Sequence, residues 1–321
     1  MRSTFSAKHI LVTGGTGFAG SHLIEELVNQ KAHVVSTYQR EDPYTYFESK
    51  GLAKKVRLVR ADVENFEKIH DIITKFEIEY IFHLAAQPLV DVAYHNPKRT
   101  LYSNILGTIN ILESARLYPN IKGIIVASSD KAYGKLKKGK YKEDHPLRGD
   151  HPYEVSKSAA DLICNSYFVT YGVPVVTTRF GNIYGEGDLN FSRIIPGMMK
   201  ALIEKQPIEL RSDGTFVRDY LYVKDVVNGY LLLAKNIAKA KGHAFNFGSE
   251  DTLSVVDLIH SFEDVIGKKI KYKILNNAKN EIPYQSLDYD KITKLFNWKP
   301  KHSVTSTAAQ IYKWYADLLQ S

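Results

Sequence analysis

One cysteine stands in 321 residues, alongside three methionines and two tryptophans. Cys164 therefore has no internal disulfide partner and cannot build a cysteine-based zinc site, a usage that fits a reducing compartment. No H-E-x-x-H motif and no Cys/His cluster occurs, so no metal is implied. No run of about 18 apolar residues is present, and no transmembrane helix is expected. Fixed-period repeats and low-complexity tracts are also missing. The first residues run almost at once into a β-type segment, so the expectation is a cytoplasmic protein without a signal peptide.

What is present is an ordinary globular composition, 44% hydrophobic and 24% charged. At this length chains often divide into two lobes. The net charge of +8 admits two readings, an anionic partner or a solvated lysine-rich surface. Lys135, Lys137, Lys138, Lys140 and Lys142 form a basic run around Tyr141. It reads as a solvated loop in preference to a nucleic-acid contact.

Short β-branched runs alternate with helical patterns through the first half. The runs are 9–13, 33–38, 56–60, 80–84, 123–127 and 173–179, with a helix over 18–29 and another over roughly 152–171. Near-continuous apolar strands separated by helices predict a parallel sheet covered on both faces. After Gly181 glycine and proline break this rhythm, and a smaller α/β lobe is expected. The segment 243–248 returns to a strand pattern, so the boundary between lobes is expected to be interleaved.

The first strand runs into Thr13-Gly14-Gly15-Thr16-Gly17-Phe18-Ala19-Gly20, where a helix opens. Gly14, Gly17 and Gly20 keep Cβ atoms away from a helix N-terminus, so Gly14, Gly17, Phe18 and Gly20 are candidates for cradling a dinucleotide pyrophosphate. The second strand ends in Tyr38-Gln39-Arg40, without an acid at the ribose position, although Glu41 and Asp42 follow. Arg40 thus points to a 2′-phosphate and to NADP over NAD. Asp62 and Val63, after the third strand, are placed to meet the adenine edge.

The fifth strand ends in Ser128-Ser129-Asp130-Lys131, and Tyr153-Glu154-Val155-Ser156-Lys157 opens a later helix. Tyr153 and Lys157 lie four apart and share a helix face. A cation there lowers the phenol's pKa, so that Tyr153 can exchange a proton with a substrate hydroxyl that Ser129 also binds. Arg193 and Arg218 are candidates to grip a substrate pyrophosphate, because guanidinium matches such oxygens bidentately, and Asn182 can add a donor.

Glycine turn, strand-end serine and Tyr-x-x-x-Lys together resemble the extended short-chain dehydrogenase/reductase family (NAD-dependent epimerases and dehydratases) over nearly the whole chain. Ile81 to Gln87 resembles that family's strand-four motif, which implies that Leu84, Ala85 and Ala86 lie beside the cofactor and Gln87 near substrate. The stretches 104–108, 179–185 and 211–220 resemble further family motifs, the last one a nucleotide-sugar pyrophosphate site. Residues 83–90, Ser129-Asp130-Lys131, 187–193, Gln285 and Leu287-Asp288 resemble the nucleotide-sugar 4,6-dehydratases, most closely the CDP-glucose branch. Lys131 occupies a position where dTDP-glucose dehydratases carry Glu.

The resemblance implies a Rossmann doubly wound parallel sheet with a smaller, interleaved C-terminal α/β substrate lobe. Residues 1–181 with roughly 224–248 would bind a tightly held, recycled NAD(P), and 182–223 with 249–321 the nucleotide sugar. It also implies oxidation at sugar C4, loss of water across C5 and C6, and return of hydride to C6. Ser129, Asp130, Lys131, Tyr153 and Lys157 form the catalytic set on this reading, with Asp130 and Lys131 serving the elimination. Gln87, Asn182, Arg193, Arg218 and Gln285 would bind substrate. A 4,6-dehydratase leads, with epimerase, 4-ketoreductase and non-catalytic dinucleotide-binding regulator as alternatives. Partners are expected to be a nucleotide sugar and a second copy, packed through helices at 100–116 and 152–171, with no nucleic acid and no membrane. Cys164 reads as a packed residue, and His83 as structural or cofactor-adjacent in preference to a metal ligand.

Overall fold

A computed structural model describes residues 4–40, 44–136, 139–277 and 282–320. Glu41, Asp42, Lys137 and Lys138 lie outside the described residues. The strands, in chain order, are β1 His9–Thr13, β2 His33–Tyr38, β3 Arg57–Arg60, β4 Tyr80–His83, β5 Gly123–Ala127, β6 Val175–Phe180, β7 Asn182–Tyr184, β8 Ile208–Leu210, β9 Val217–Tyr222, β10 Ala244–Phe247, β11 Thr252–Ser254, β12 Tyr272–Ile274 and β13 Tyr284–Gln285. The chain divides into two compact units. One is Met1–Lys135, Glu143–Arg179 and Val227–Asn246, and the other Leu136–Lys142, Phe180–Val226 and Phe247–Ser321.

The first unit is built on a sheet in the order β10-β6-β5-β4-β1-β2-β3. β1 pairs in parallel with β2 on one side and β4 on the other. Strand order reverses there, and in doubly wound sheets ligands collect outside the carboxyl ends at such a switch point. All residues of β6 and most of β5 are buried, as strands covered by helices on both faces require. One layer of the core packs Leu11, Ile81, Ile124 and Val126 against Ile69, Ile73, Ile111 and Leu112 from the helices. Cys164 sits in the same layer, and burial pushes its thiol well above the usual range, so it is packing.

The helix over Pro152–Tyr171 matches the expected span. Of its buried residues, Tyr153, Ser156, Lys157, Ala160, Asp161 and Cys164 recur at three and four and form one face, and Ser158 is buried beside it. The segment expected as one helix over 100–116 is instead Pro97–Leu101, a widened π turn at Tyr102–Leu106, and Gly107–Leu117. Periodicity cannot reveal one inserted residue, and such bulges favour functional sites.

In the second unit β9 is central, antiparallel to β11 and parallel to β7 and β13. The basic run is anchored here. Tyr141 is buried at 1% and pairs with Leu287, its amide donating to Ser286 O and its carbonyl accepting from Asp288 N. The lysine-rich segment is therefore clamped at its aromatic residue, while Lys140 and Lys142 stay exposed. Among the described residues, no helix is long and apolar enough to cross a membrane.

Candidate active site

The helix Phe18–Asn29 starts directly after Gly17 with no side-chain cap and no acid in its first turn, so its leading amides remain open to an anion. Gly14 has φ of 69°, and a Cβ there would press on the Ala85 backbone at 2.8 Å. A Cβ at Gly20 would collide with the Gly14 carbonyl. A Cβ at Gly17 would meet only that carbonyl, at 3.3 Å, and would otherwise fill the mouth of the turn. This cradle suits a dinucleotide pyrophosphate, which Gly14, Gly17, Phe18 and Gly20 would hold.

Leu84, Ala85 and Ala86 follow β4 and are tied to β1, with Leu84 N donating to Thr13 O at 3.2 Å. His83, 3% exposed, explains how this loop is set. Thr108 donates its proton to Asn104 O (2.7 Å), so Thr108 Oγ1 accepts from His83 Nε2 (3.3 Å). His83 Nδ1 then accepts from Thr13 Oγ1 (2.8 Å), whose oxygen accepts from Ala85 N (3.2 Å). Every proton in the chain has one placement, and His83 is neutral. Burial, and then the charge of Lys157, hold its pKa down at about 3.

Arg40 is exposed just past β2. Asp62 is exposed and caps Glu64 N at 3.0 Å, while Val63 is buried against Gly107, its carbonyl accepting from Asn110 Nδ2 at 2.9 Å.

The structure gathers Ser129, Asp130 and Lys131 on one short turn at the end of β5. Ser129 Oγ donates to Asp130 Oδ1 (2.9 Å) and accepts from Lys131 N (3.2 Å), capping the turn. Lys131 Nζ reaches the same Asp130 oxygen at 3.4 Å. Asp130 is 2% exposed, so the pair is no ordinary surface salt bridge. Ser158 Oγ donates to Ala132 O at 2.7 Å and binds this turn to the Tyr153 helix. Tyr153 and Lys157 are buried on that helix, and Lys157 Nζ donates to Ala127 O at 2.8 Å. Burial lowers the Lys157 pKa to about 8, with Asp161 opposing the fall.

Two groups of residues had no assigned role in the sequence. Asn104, in the π turn, accepts from Gln87 N (2.7 Å) and donates to Gln87 O (3.2 Å) and Ser156 Oγ (2.9 Å). It joins the loop after β4 to the Tyr153 helix. Gln87 spends its own side chain on Thr100 Oγ1 (3.2 Å) and the Leu89 peptide. Asp161 and Arg179 form a buried bidentate pair, both contacts at 2.9 Å. Asp161 lies four residues after Lys157, and that spacing was the available signal.

Within the second unit, Arg218 on β9 and Gln285 on β13 are register partners, and Asn182 on β7 flanks Tyr220 of the same strand. Gln285 Nε2 and Tyr220 Oη are buried with no hydrogen-bond partner among the described residues. Arg218 donates to Val217 O at 2.8 Å. Arg193, at the start of the helix Ile194–Ile203, pairs with Asp188 at 3.1 Å.

Sheet order and glycine turn are those of a Rossmann fold, and comparison with known proteins places the chain among enzymes of the NAD-dependent epimerase/dehydratase type. The family model described as GDP-mannose 4,6 dehydratase matches residues 11–311, and the chain belongs to that family. A CDP-glucose 4,6-dehydratase of Salmonella typhimurium is 30% identical, over 98% of this chain and 92% of that one. Among solved structures, a UDP-glucuronic acid 4-epimerase of Bacillus cereus, in complex with UDP-glucuronic acid and NAD, is 26% identical. It superimposes with a TM-score of 0.88 over 97% of this chain and 99% of that one. A dTDP-glucose 4,6-dehydratase of Bacillus anthracis in complex with NAD is also 26% identical, with a TM-score of 0.84 over 97% of each chain.

Proposed function

We propose that the chain is a nucleotide-sugar 4,6-dehydratase that converts an NDP-hexose, such as CDP-glucose or UDP-GlcNAc, to its 4-keto-6-deoxy derivative. The carrying observation is the buried Asp130 paired with a half-buried Lys131 on a turn bonded to the Tyr153 helix. An epimerase needs no acid for a departing C6 hydroxyl, and a dehydratase does. The cradle would take NAD or NADP, and Arg40 without an acid at the end of β2 supports NADP. When bound, the nicotinamide dinucleotide supplies the oxidant for C4 and the reductant for C6.

Tyr153 takes the proton of the C4 hydroxyl, with Ser129 turning its hydroxyl from Asp130 to that oxygen and the Lys157 cation favouring the phenolate. The resulting C4 ketone acidifies C5–H. Lys131, once it has passed its proton to Asp130 within the pair, removes the C5 proton, and Asp130 protonates the departing C6 hydroxyl, so that one water leaves and the pair is ionised again. In the second unit, Arg193 and Arg218 would hold the pyrophosphate, and Asn182 and the unsatisfied Gln285 amide would add donors.

The test is incubation with CDP-glucose, UDP-GlcNAc, dTDP-glucose and GDP-mannose, each with NAD and with NADP, followed by mass spectrometry. Loss of one water from one of them supports the reading. Conversion without a mass change would move it to an epimerase, and no conversion of any would overturn it.

A further inference from the structure

Asp161 and Arg179 have no part in the proposed proton transfers, yet they tie together the strand end, the turn and the helix that carry them. Both are buried, at 5% exposure each. Asp161 Oδ2 accepts from Ser128 Oγ at 2.8 Å and from Arg179 Nε at 2.9 Å, and Oδ1 accepts from Arg179 Nη2. Arg179 Nη1 donates to Tyr133 Oη at 2.6 Å, and the guanidinium lies 4.8 Å from the centre of the Tyr133 ring. Tyr133 closes the turn that begins at Asp130, and its hydroxyl is fixed further by donating to Asn246 Oδ1 at 2.7 Å. Ala127 and Ser128, adjacent at the end of β5, are bonded to Lys157 and Asp161 respectively, one helical turn apart.

We propose that the Arg179–Asp161 pair is a positioning device that keeps the Lys157 ammonium charged and holds the Asp130–Tyr133 turn against the Tyr153 helix. The inference rests on the reading of Tyr153 and Lys157 as the proton-transfer pair. A purely architectural pair at this spot would be dispensable, because buried ion pairs are often replaced by apolar residues without loss of stability. A carboxylate one turn from a buried ammonium has a further effect. It offsets the desolvation that favours neutral lysine. The titratable groups around Lys157 are His83 on β4, which is neutral, and Tyr153, Asp161 and Cys164 on its own helix, where the thiol stays protonated. Asp161 is the carboxylate among them, and Arg179 fixes its orientation from β6.

Asp161→Asn alone strands the buried Arg179 cation and invites misfolding, so the test uses Asp161→Asn with Arg179→Met, which removes both charges at similar volume. The full chain is labelled with 13C-lysine, and the Lys157 ε-carbon signal is assigned by its loss in Lys157→Met. Its titration is then followed in the wild type and the double variant, with no substrate present. The expected result is a folded double variant whose Lys157 titrates at least tenfold more acidic in Ka. An unchanged Lys157 midpoint in the folded double variant would overturn the proposal. If the wild type converts a nucleotide sugar, the double variant should also show a narrowed pH profile, its alkaline limb moved downward. This titration stands whether or not a substrate is found, so its failure and failure of the dehydratase reading remain separate results.

Discussion

Lys157 Nζ donates to the Ala127 carbonyl at 2.8 Å, so a full positive charge is fixed at the carboxyl end of β5 inside the first unit. Burial brings its pKa from 10.5 to about 8, which costs on the order of 3 kcal/mol of stability while the lysine is charged in the fold. The unfolded chain holds that proton up to a higher pH. The penalty is therefore complete below pH 8 and fades as pH rises toward 10.5. Lys157→Met should melt higher than wild type at pH 7, lose that advantage by about pH 10, and convert substrate at least 100-fold more slowly. Calorimetry across this range measures the first two, and a constant difference in melting temperature would contradict the assignment.

His83 carries the opposite pH signature. It is neutral in the fold down to about pH 3, whereas an unfolded histidine gains its proton near 6.5. Stability supplied by the neutral ring is present above pH 6.5 and drains away as pH falls toward 3. His83→Asn should flatten the loss of stability over that interval in urea titrations, at the expense of an absolute loss near neutrality from the broken Thr13 and Thr108 bonds. Equal acid sensitivity in both proteins would show that other groups govern it.

The cradle makes a steric prediction. Gly20→Ala drives a methyl group into the Gly14 carbonyl, and the turn must open to admit it. Dinucleotide affinity, read by isothermal titration with NAD and NADP, should fall at least tenfold, with a stability loss of about 1–3 kcal/mol. Unchanged binding of both would mean that the dinucleotide sits elsewhere.

Val155, Leu162 and Val169 recur every seven residues on the outer face of the Pro152–Tyr171 helix, exposed at 39%, 59% and 71%. Such a stripe suits a helix from a second copy. Light scattering should give a dimer for the wild type and a monomer for Leu162→Glu. A monomeric wild type at working concentration would contradict the pairing.

Much of the first unit was legible because its signals are local. Apolar strands, the glycine turn and Tyr153 with Lys157 each fall within a few adjacent residues, and the helix over Pro152–Tyr171 has its expected limits. The rest depends on the sheet. Arg179 and Asp161 meet because β6 lies beside β5 and the helix crosses them, and no spacing in the chain states that. The π turn at Tyr102–Leu106 hides in an otherwise helical pattern, and with it the reach of Asn104 to Gln87 and Ser156. Tyr141 is hidden in a similar way. Five lysines around it read as solvent-facing, whereas its backbone pairs with Leu287 and its ring is buried.

The most direct test of the proposed chemistry follows one hydrogen atom. An NDP-glucose deuterated at C4, converted by the wild-type chain, should yield a 4-keto-6-deoxy product with deuterium in the C6 methyl group. Recovery of the deuterium at C4 of an epimerised sugar of unchanged mass would contradict the account.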